Sequence, residues 1–271
     1  MAIARILPIV SADPSLPQLD YAALTEAGVH VPEFIDPGLT EDYLFDLTAD
    51  VTYRNRLSTG ALEPSGMTGS LVSDGIGKYL SIDAGGLNGL PLALTDRREW
   101  TYGGIFRYQT PLVVGPDTAT QQLIGNQTET SGNGGEALTV STSGSLSVSV
   151  RGYSSTFTVS ASTLTAAGIS YDQWLFLAVT SLITSGTTTE HRLFVGAGAS
   201  YLTNTGSGIK TLASDARPLA LGREYRDAVA AMQETLYARA FAAPRSMTVA
   251  ELVAMYRRAK VIGARRGVVV A

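Results

Sequence analysis

Oxygen-bearing side chains are concentrated in one polar stretch, residues 126–135, with the sequence NQTETSGNGG. This stretch and the residue after it offer four oxygen ligands of the kind that Ca²⁺ prefers: Asn126, Glu129, Asn133 and Glu136. They match no Ca²⁺-binding motif, and the glycines around them are typical of a solvated turn. The favoured prediction is therefore a polar loop without a metal, and no cofactor is expected.

Contact with sugar is the second chemistry that the residue types allow. Aromatic rings can stack on the C–H face of a pyranose, and side-chain amides can hydrogen bond to its hydroxyls. On this basis Asn126, Asn133 and Tyr153 are candidate carbohydrate-binding residues. The loops that carry them, residues 126–135 and 153–156, would contact a surface glycan.

A row of aromatic residues is a third candidate. In the segment EWTYGGIFRY, Trp100, Tyr102, Phe106 and Tyr108 would share one face of a strand. Such a row could form a sugar-stacking platform. Core packing is the favoured interpretation, because aromatic side chains supply much of the core of a β-sandwich.

The residue types required for catalysis are sparse. Cysteine is absent, which excludes disulfides within the chain, thiolate metal sites and cysteine nucleophiles. The two histidines, His30 and His191, are expected to be exposed, and this argues against a zinc cluster or a His-based triad. Clustered acidic residues are interpreted as turn or surface groups: Glu41, Asp42 and Asp46, and Glu224 with Asp227. No catalytic residue and no enzyme activity is predicted.

The composition predicts short strands joined by many turns. Of the 271 residues, 45% are hydrophobic, 16% are charged and 28 are glycine. Twenty basic and 24 acidic residues give a net charge of −4, so no nucleic-acid partner is expected. No apolar run reaches the roughly 18 residues of a membrane span, so no membrane partner is expected.

The chain is centred on a predicted hairpin. Residues 174–179 are apolar at every position, which is expected of a strand buried on both faces. Residues 181–189 are predicted to form a polar turn, and residues 192–195 a second short strand. A further hairpin is predicted over residues 138–150, where Leu and Val alternate with Ser.

A helix is predicted near the C-terminus. Thr248 and Glu251 have the spacing of a capping box, and Met247 and Leu252 that of a hydrophobic staple. Gly263 is the predicted stop. Five basic residues follow or end this helix and are expected to be solvated and to complement its dipole rather than to bind nucleic acid: Arg257, Arg258, Lys260, Arg265 and Arg266.

Both ends of the chain are expected to serve assembly. Residues 1–40 contain five prolines and many apolar side chains, which predicts an extended arm that packs on another subunit. Residues 261–271 are predicted to form a basic and apolar tail. Residues 41–260 would form the β-domain between them.

The order of motifs resembles the laminin-G-like branch of the concanavalin A-like lectin/glucanase superfamily. The matching segments are Gly77–Leu80, Asp172–Val179, Leu193–Gly196, Pro218–Gly222, and Met247, Thr248, Glu251, Leu252, Met255 and Tyr256 in the helix. The resemblance covers residues 42–260 and implies an all-β jelly-roll sandwich of two antiparallel sheets with one short C-terminal helix. It also implies a carbohydrate or protein ligand. The motif Glu-x-Asp-x-x-Glu of the family's glucanases is absent, which argues against a retaining glycosidase.

The leading functional prediction is a non-enzymatic virion protein of a bacteriophage, a tail or fibre component with a lectin-like head. Its partners would be copies of itself or other virion proteins, bound through residues 1–40, and its ligand a cell-surface glycan. The alternative is a carbohydrate-binding module of a bacterial or viral surface protein. A glycan-degrading enzyme is the least favoured class.

Overall fold

The computed structural model describes residues 36, 38–45, 69–82, 89–108, 120–127, 133–170, 172–222, 234–264 and 266–271, all within the compact unit Phe34–Ala271. The strands among them are β1 (Glu41–Leu44), β2 (Gly69–Asp74), β3 (Gly77–Ile82), β4 (Leu90–Thr95), β5 (Trp100–Tyr108), β6 (Thr120–Gly125), β7 (Glu136–Ser141), β8 (Leu146–Val150), β9 (Phe157–Val159), β10 (Leu175–Ser185), β11 (Thr188–Ala197), β12 (Ser200–Ile209), β13 (Pro218–Leu221) and β14 (Thr235–Ala243). The helices are α1 (Ala161–Ala166) and α2 (Val249–Ala264).

These strands form two antiparallel sheets. The eight-stranded sheet has the order β12-β11-β10-β5-β14-β3-β2, with β1 also paired to β14. The six-stranded sheet has the order β4-β13-β6-β7-β8-β9. Apolar side chains from both sheets form one core between them, as in a jelly-roll sandwich. The all-β fold class predicted from the sequence is confirmed.

The central strands of the eight-stranded sheet are buried on both faces. Along β10, Leu175, Leu177 and Val179 face the core between the sheets. The alternate residues Phe176 and Ala178 face a second core formed with α2 and the C-terminal segment. The prediction of a two-sided buried strand is confirmed, and its second cover is a helix rather than another sheet.

The β10–β11 hairpin is longer than its sequence pattern indicated. Residues 181–185 continue β10, and the turn is confined to residues 186–187. The hydroxyl of Ser181 explains the difference, because it donates to the carbonyl of Arg98 at 2.9 Å and accepts from the backbone N–H of Trp100 at 3.1 Å. The polar side chain of Ser181 therefore joins β10 to the residues at the start of β5.

The aromatic row on β5 lies in the core. Trp100, Tyr102, Phe106 and Tyr108 are buried in the cluster between the sheets. Trp100 meets Tyr102 edge to face, with ring centroids 5.2 Å apart. The core interpretation is confirmed, and a sugar platform at this row is excluded.

The β7–β8 hairpin follows its predicted alternation. Leu146, Val148 and Val150 are buried, whereas Ser147 and Ser149 are partly exposed. The short helix α1, which the sequence analysis did not predict, begins after β9. Its N-cap is Ser160, whose hydroxyl accepts from the N–H of Thr163 at 3.1 Å.

Helix α2 begins at the predicted capping box. The Glu251 carboxylate accepts from the backbone N–H of Thr248 at 2.8 Å, and the Thr248 hydroxyl accepts from the N–H of Glu251 at 3.2 Å. Gly263 does not end the helix but lies in its last turn, and the chain reverses at Gly267, which has a φ of +77°. No helix in the described residues is long and apolar enough to cross a membrane.

The C-terminal segment packs on its own domain. Val268 and Val270 are buried in the cluster under α2, and the N–H of Ala271 donates to the carbonyl of Trp174 at 2.8 Å. The boundary expected at residue 261 therefore falls inside α2. The role of residues 261–271 in assembly stays a prediction.

Glu41 and Asp42, which were expected at the surface, are buried in the sandwich. Asp42 pairs with the buried Arg239 at 2.8 Å, and Asp36 contacts the same guanidinium at 2.7 Å. Burial lowers the pKa of Arg239, but the charges of Asp42 and Asp36 outweigh it and raise the pKa above its ordinary value. Glu41 is also buried and accepts from the N–H of Ala93 at 2.8 Å. Residues 36 and 38–40 thus belong to the sandwich, while residues 1–35, 37, 46, 224 and 227 lie outside the described residues.

Two adjacent valines test the packing of the C-terminal segment. Val268 is fully buried, whereas Val269 is 78% exposed. Val268→Ala should lower the free energy of unfolding by about 2 kcal/mol, because it removes buried methyl groups and leaves a cavity. Val269→Ala should change it by less than about 0.5 kcal/mol. Urea unfolding of both variants measures the difference, and equal effects would contradict the packing described.

Candidate functional site

Two of the predicted ligand residues lie inside the sandwich. The side chains of Asn126 and Glu136 are buried, and the Asn126 amide oxygen accepts from the N–H of Glu136 at 2.9 Å. The Asn126 amide nitrogen donates to the carbonyl of Arg217 at 3.3 Å. Asn126 thus joins backbone segments and is not available to a sugar, because its amide groups are used in the interior.

The predicted Ca²⁺ set is not assembled. Asn133 is half-buried, Glu136 is fully buried and Glu129 lies outside the described residues. Within the described residues, no three His, Asp or Glu side chains are grouped as a metal would require. The favoured prediction of a solvated loop is therefore wrong for Asn126 and Glu136, whose side chains are buried.

Glu136 is the centre of a buried polar cluster. Its Oε1 accepts from the indole N–H of Trp100 at 2.9 Å, and its Oε2 lies 2.7 Å from both His191 Nε2 and Lys210 Nζ. Lys210 Nζ also pairs with Asp96 at 2.6 Å and lies 4.2 Å from the centre of the Trp100 ring. The buried carboxylates of Glu136 and Asp96 thus lie beside the buried side chains of Lys210 and His191.

The charges in this cluster depend on one another. Burial alone raises the pKa of Glu136, but the positive charges of His191 and Lys210 outweigh it and hold the pKa well below its ordinary value. The pKa of Tyr102 is raised well above its ordinary value by burial and by the negative charge of Glu136. The folded protein therefore keeps Glu136 ionised.

His191 links this cluster to Tyr153. The Tyr153 hydroxyl lies 2.7 Å from His191 Nδ1 and 2.6 Å from the carbonyl oxygen of Thr189, which can only accept. The Tyr153 hydroxyl therefore donates to Thr189, and the two ring nitrogens of His191 lie within hydrogen-bond distance of Tyr153 and Glu136. The expectation that His191 is exposed is wrong, because its side chain is fully buried.

The ring of Tyr153 packs directly against the backbone of Gly208. A Cβ at Gly208 would lie 2.8 Å from Tyr153 Cδ1, and one at Gly206 would lie 2.5 Å from Phe157 Cδ1. Both glycines lie on the same face of β12 and leave the space that these two rings fill. Tyr153 is half-buried and packs against the core between the sheets, so it is not a free stacking surface.

A cleft that the sequence analysis missed lies between the β11–β12 turn and α2. It has a volume of about 200 Å³. Its lining residues are Gly198, Ala199, Ser200, Tyr201, Val253, Tyr256, Arg257 and Lys260. No local pattern predicts this cleft, since Tyr201 and the basic residues of α2 belong to separate elements.

Tyr201 presents an open aromatic face beside this cleft. Its ring stacks on the buried ring of Phe194, with centroids 5.2 Å apart and an interplanar angle of 16°. The side chain is nevertheless 41% exposed. One face of the ring is therefore packed on the sheet, and the opposite face is available to a ligand.

Polar groups surround the same cleft. Lys260 Nζ donates to the carbonyl of Gly198 at 3.0 Å and lies 5.4 Å from the centre of the Tyr256 ring. The Tyr256 hydroxyl donates to the same carbonyl at 2.9 Å. Arg257 is exposed and has no carboxylate within 4 Å among the described residues. The cleft thus combines a flat apolar ring with cationic hydrogen-bond donors.

Comparisons with known proteins identify the fold. No family model and no curated protein matches the chain. The binding domain of Paraclostridial Mosquitocidal Protein 1 is similar, with a TM-score of 0.56, 12% identity, and coverage of 81% of this chain and 52% of that domain. The ligand binding domain of botulinum neurotoxin serotype D in complex with N-acetylneuraminic acid has a TM-score of 0.52, 10% identity, and coverage of 82% and 51%.

A sialidase CBM40 from Ruminococcus gnavus, bound to α2,3-sialyllactose, has a TM-score of 0.46, 16% identity, and coverage of 65% of this chain and 95% of that module. The chain spans about half the length of the two toxin domains. At these identities the likeness to the two domains with TM-scores above 0.5 shows the fold alone, a lectin-like β-sandwich. The laminin-G-like branch and the bacteriophage particle stay predictions.

The buried cluster predicts that replacing its lysine greatly lowers the free energy of unfolding. Lys210→Met should lower the free energy of unfolding by about 3–5 kcal/mol, because Asp96 and Glu136 would remain charged and buried. The control is Arg192→Met, which breaks a partly exposed pair with Glu190 and should cost less than about 1 kcal/mol. Urea unfolding at neutral pH compares them, and equal losses would contradict the role of the cluster.

The same cluster predicts a dependence of stability on acid. The pKa of Glu136 is lowered on folding, so below its ordinary value of 4.5 the unfolded chain takes up a proton that the folded chain does not. Its contribution is therefore complete above about pH 4.5 and is lost as the pH falls below it. Glu136→Gln should show a shallower decline of unfolding free energy between pH 5 and pH 3. Parallel declines in the variant and the parent protein would refute this.

Proposed function

We propose that the sandwich is a carbohydrate-binding domain without catalytic activity, and that it binds its glycan at the cleft beside Tyr201. The observation that carries this proposal is the ring of Tyr201, which is packed on Phe194 on one face and open on the other. A flat, rigidly held ring matches the C–H face of a pyranose. Its packing on Phe194 means that little side-chain freedom is lost on binding.

The surface next to Tyr201 suits further sugar units. Along the outer face of β12, Thr203, Thr205 and Ser207 follow Tyr201 at alternate positions and are exposed. Alternate residues of a strand lie about 6.6 Å apart, so these hydroxyls form a regular row of donors and acceptors. A glycan of several units could therefore contact the row while one unit stacks on Tyr201.

The state of the buried acids supports binding without hydrolysis. A retaining glycosidase places two carboxyl groups about 5 to 5.5 Å apart on either side of the sugar bond. Here Glu136 and Asp96 are buried against Lys210, and Asp36 and Asp42 are buried against Arg239. These carboxylates stabilise the interior and do not face the cleft residues.

The structural likeness supports the same class. A toxin domain with a TM-score of 0.52 to this chain is named as a ligand binding domain in complex with N-acetylneuraminic acid. The alternative setting, a bacteriophage tail or fibre in which residues 1–40 bind copies of the chain or other virion proteins, rests on the composition of that arm. In that setting the sandwich would be the host-binding head.

Substitution of Tyr201 tests the proposed function. On an array of neutral and acidic glycans, the parent protein should bind at least one glycan class. Tyr201→Ala should weaken that binding by about tenfold or more, because the stacking surface is removed. Leu212→Ala is the control, since Leu212 is an exposed apolar residue beyond the end of β12 and outside the cleft, and it should leave binding unchanged. Absence of any binding that depends on Tyr201 would refute the proposal.

A further inference from the structure

Arg257 and Lys260 differ in their ion pairing from most of the basic residues on and near α2. Arg245 pairs with Glu251, Arg258 pairs with Asp36, and Arg239 pairs with Asp36 and Asp42. Among the described residues, Arg257 and Lys260 have no carboxylate within 4 Å. Both of these cations line the cleft beside Tyr201.

The spacing of the residues that α2 contributes to the cleft places them on one face of the helix. Val253, Arg257 and Lys260 are at positions i, i+4 and i+7 of α2, so they form one stripe along the helix. All three line the cleft, opposite the β11–β12 turn. Lys260 is held there by its hydrogen bond to Gly198 and by the Tyr256 ring, whereas the Arg257 guanidinium is exposed.

The helix dipole does not account for Arg257. The effect of a charge on the dipole falls off within the last turn of a helix, and α2 ends at Ala264, about two turns beyond Arg257. The expected complement to the helix dipole therefore does not apply to Arg257, whereas its side chain is exposed, as expected. A general attraction for anions does not account for it either, since the chain as a whole has a net charge of −4.

We propose that the glycan bound at this cleft is acidic, and that Arg257 and Lys260 bind its carboxylate or sulfate group while Tyr201 stacks on the sugar ring. This inference rests on the proposed carbohydrate function and names the ligand class. The planar guanidinium can form two parallel hydrogen bonds to such a group. Lys260 supplies a second positive charge and keeps two N–H donors beyond the one that it gives to Gly198.

The test uses the same glycan array, printed with neutral, carboxylate-bearing and sulfate-bearing glycans. The glycans whose binding depends on Tyr201 should carry an acidic group, and their binding should weaken as the salt concentration rises. Arg257→Gln should raise the Kd by about tenfold or more, because it removes a charge-assisted pair. Lys78→Gln, an exposed lysine on β3 at the far side of the sheet, should leave the Kd unchanged.

Chemical reduction of the carboxylate to an alcohol should abolish the binding of a carboxylate-bearing glycan. Desulfation should abolish the binding of a sulfated glycan. The two treatments together identify which anionic group is bound. If the glycans that depend on Tyr201 are neutral, the inference is overturned and the carbohydrate function stands. If acidic glycans bind equally well to Arg257→Gln, the inference is also overturned. If no glycan depends on Tyr201, both proposals fail.

Discussion

The eight-stranded sheet carries apolar side chains on both faces of its central strands, and both faces must be covered. Its inner face packs on the six-stranded sheet, and its outer face carries Phe176, Phe194 and Phe241, which must also leave water. Helix α2 supplies that cover through Leu252, Met255 and Tyr256, and the C-terminal segment completes it. Because burial contributes about 25 cal/mol per Å² of apolar surface, the second core fixes the position of the helix.

Polar groups inside the sandwich are tolerated because they are paired with one another. Glu136 receives a proton donor or a cation at each oxygen, and Arg239 has two aspartates. Each set joins distant parts of the chain, and removing one member would leave the others charged in a medium that solvates charge poorly. The clusters therefore favour one register and one arrangement of loops, and this includes the segment of Tyr153.

The candidate site lies at the edge of the region where α2 covers the eight-stranded sheet. Helix α2 protects Phe194 on one side, and beyond the helix Tyr201 shields the same ring while its own outer face stays in solvent. The cleft needs no dedicated loop, since a helix placed by packing brings Arg257 and Lys260 to the edge of the sheet. The position of the binding surface follows from the position of the second core.

Local sequence patterns predicted the features that depend on neighbouring residues. The period-2 alternation predicted the β7–β8 hairpin, the continuous apolar run predicted the two-sided burial of β10, and Thr248 with Glu251 predicted the start of α2. These patterns act within a few residues, so they can be recognised without the fold. The same reasoning correctly assigned the aromatic row of β5 to the core.

Long-range packing determines which polar residues are interior and which side chains contact each other. Glu136 and His191 are 55 positions apart, and either one considered alone is typical of a solvated loop or strand end. Tyr201, Arg257 and Lys260 likewise come from different elements, and their meeting depends on strand order and on the helix packing across β10 and β11. Such contacts arise from long-range packing, and no local pattern records them.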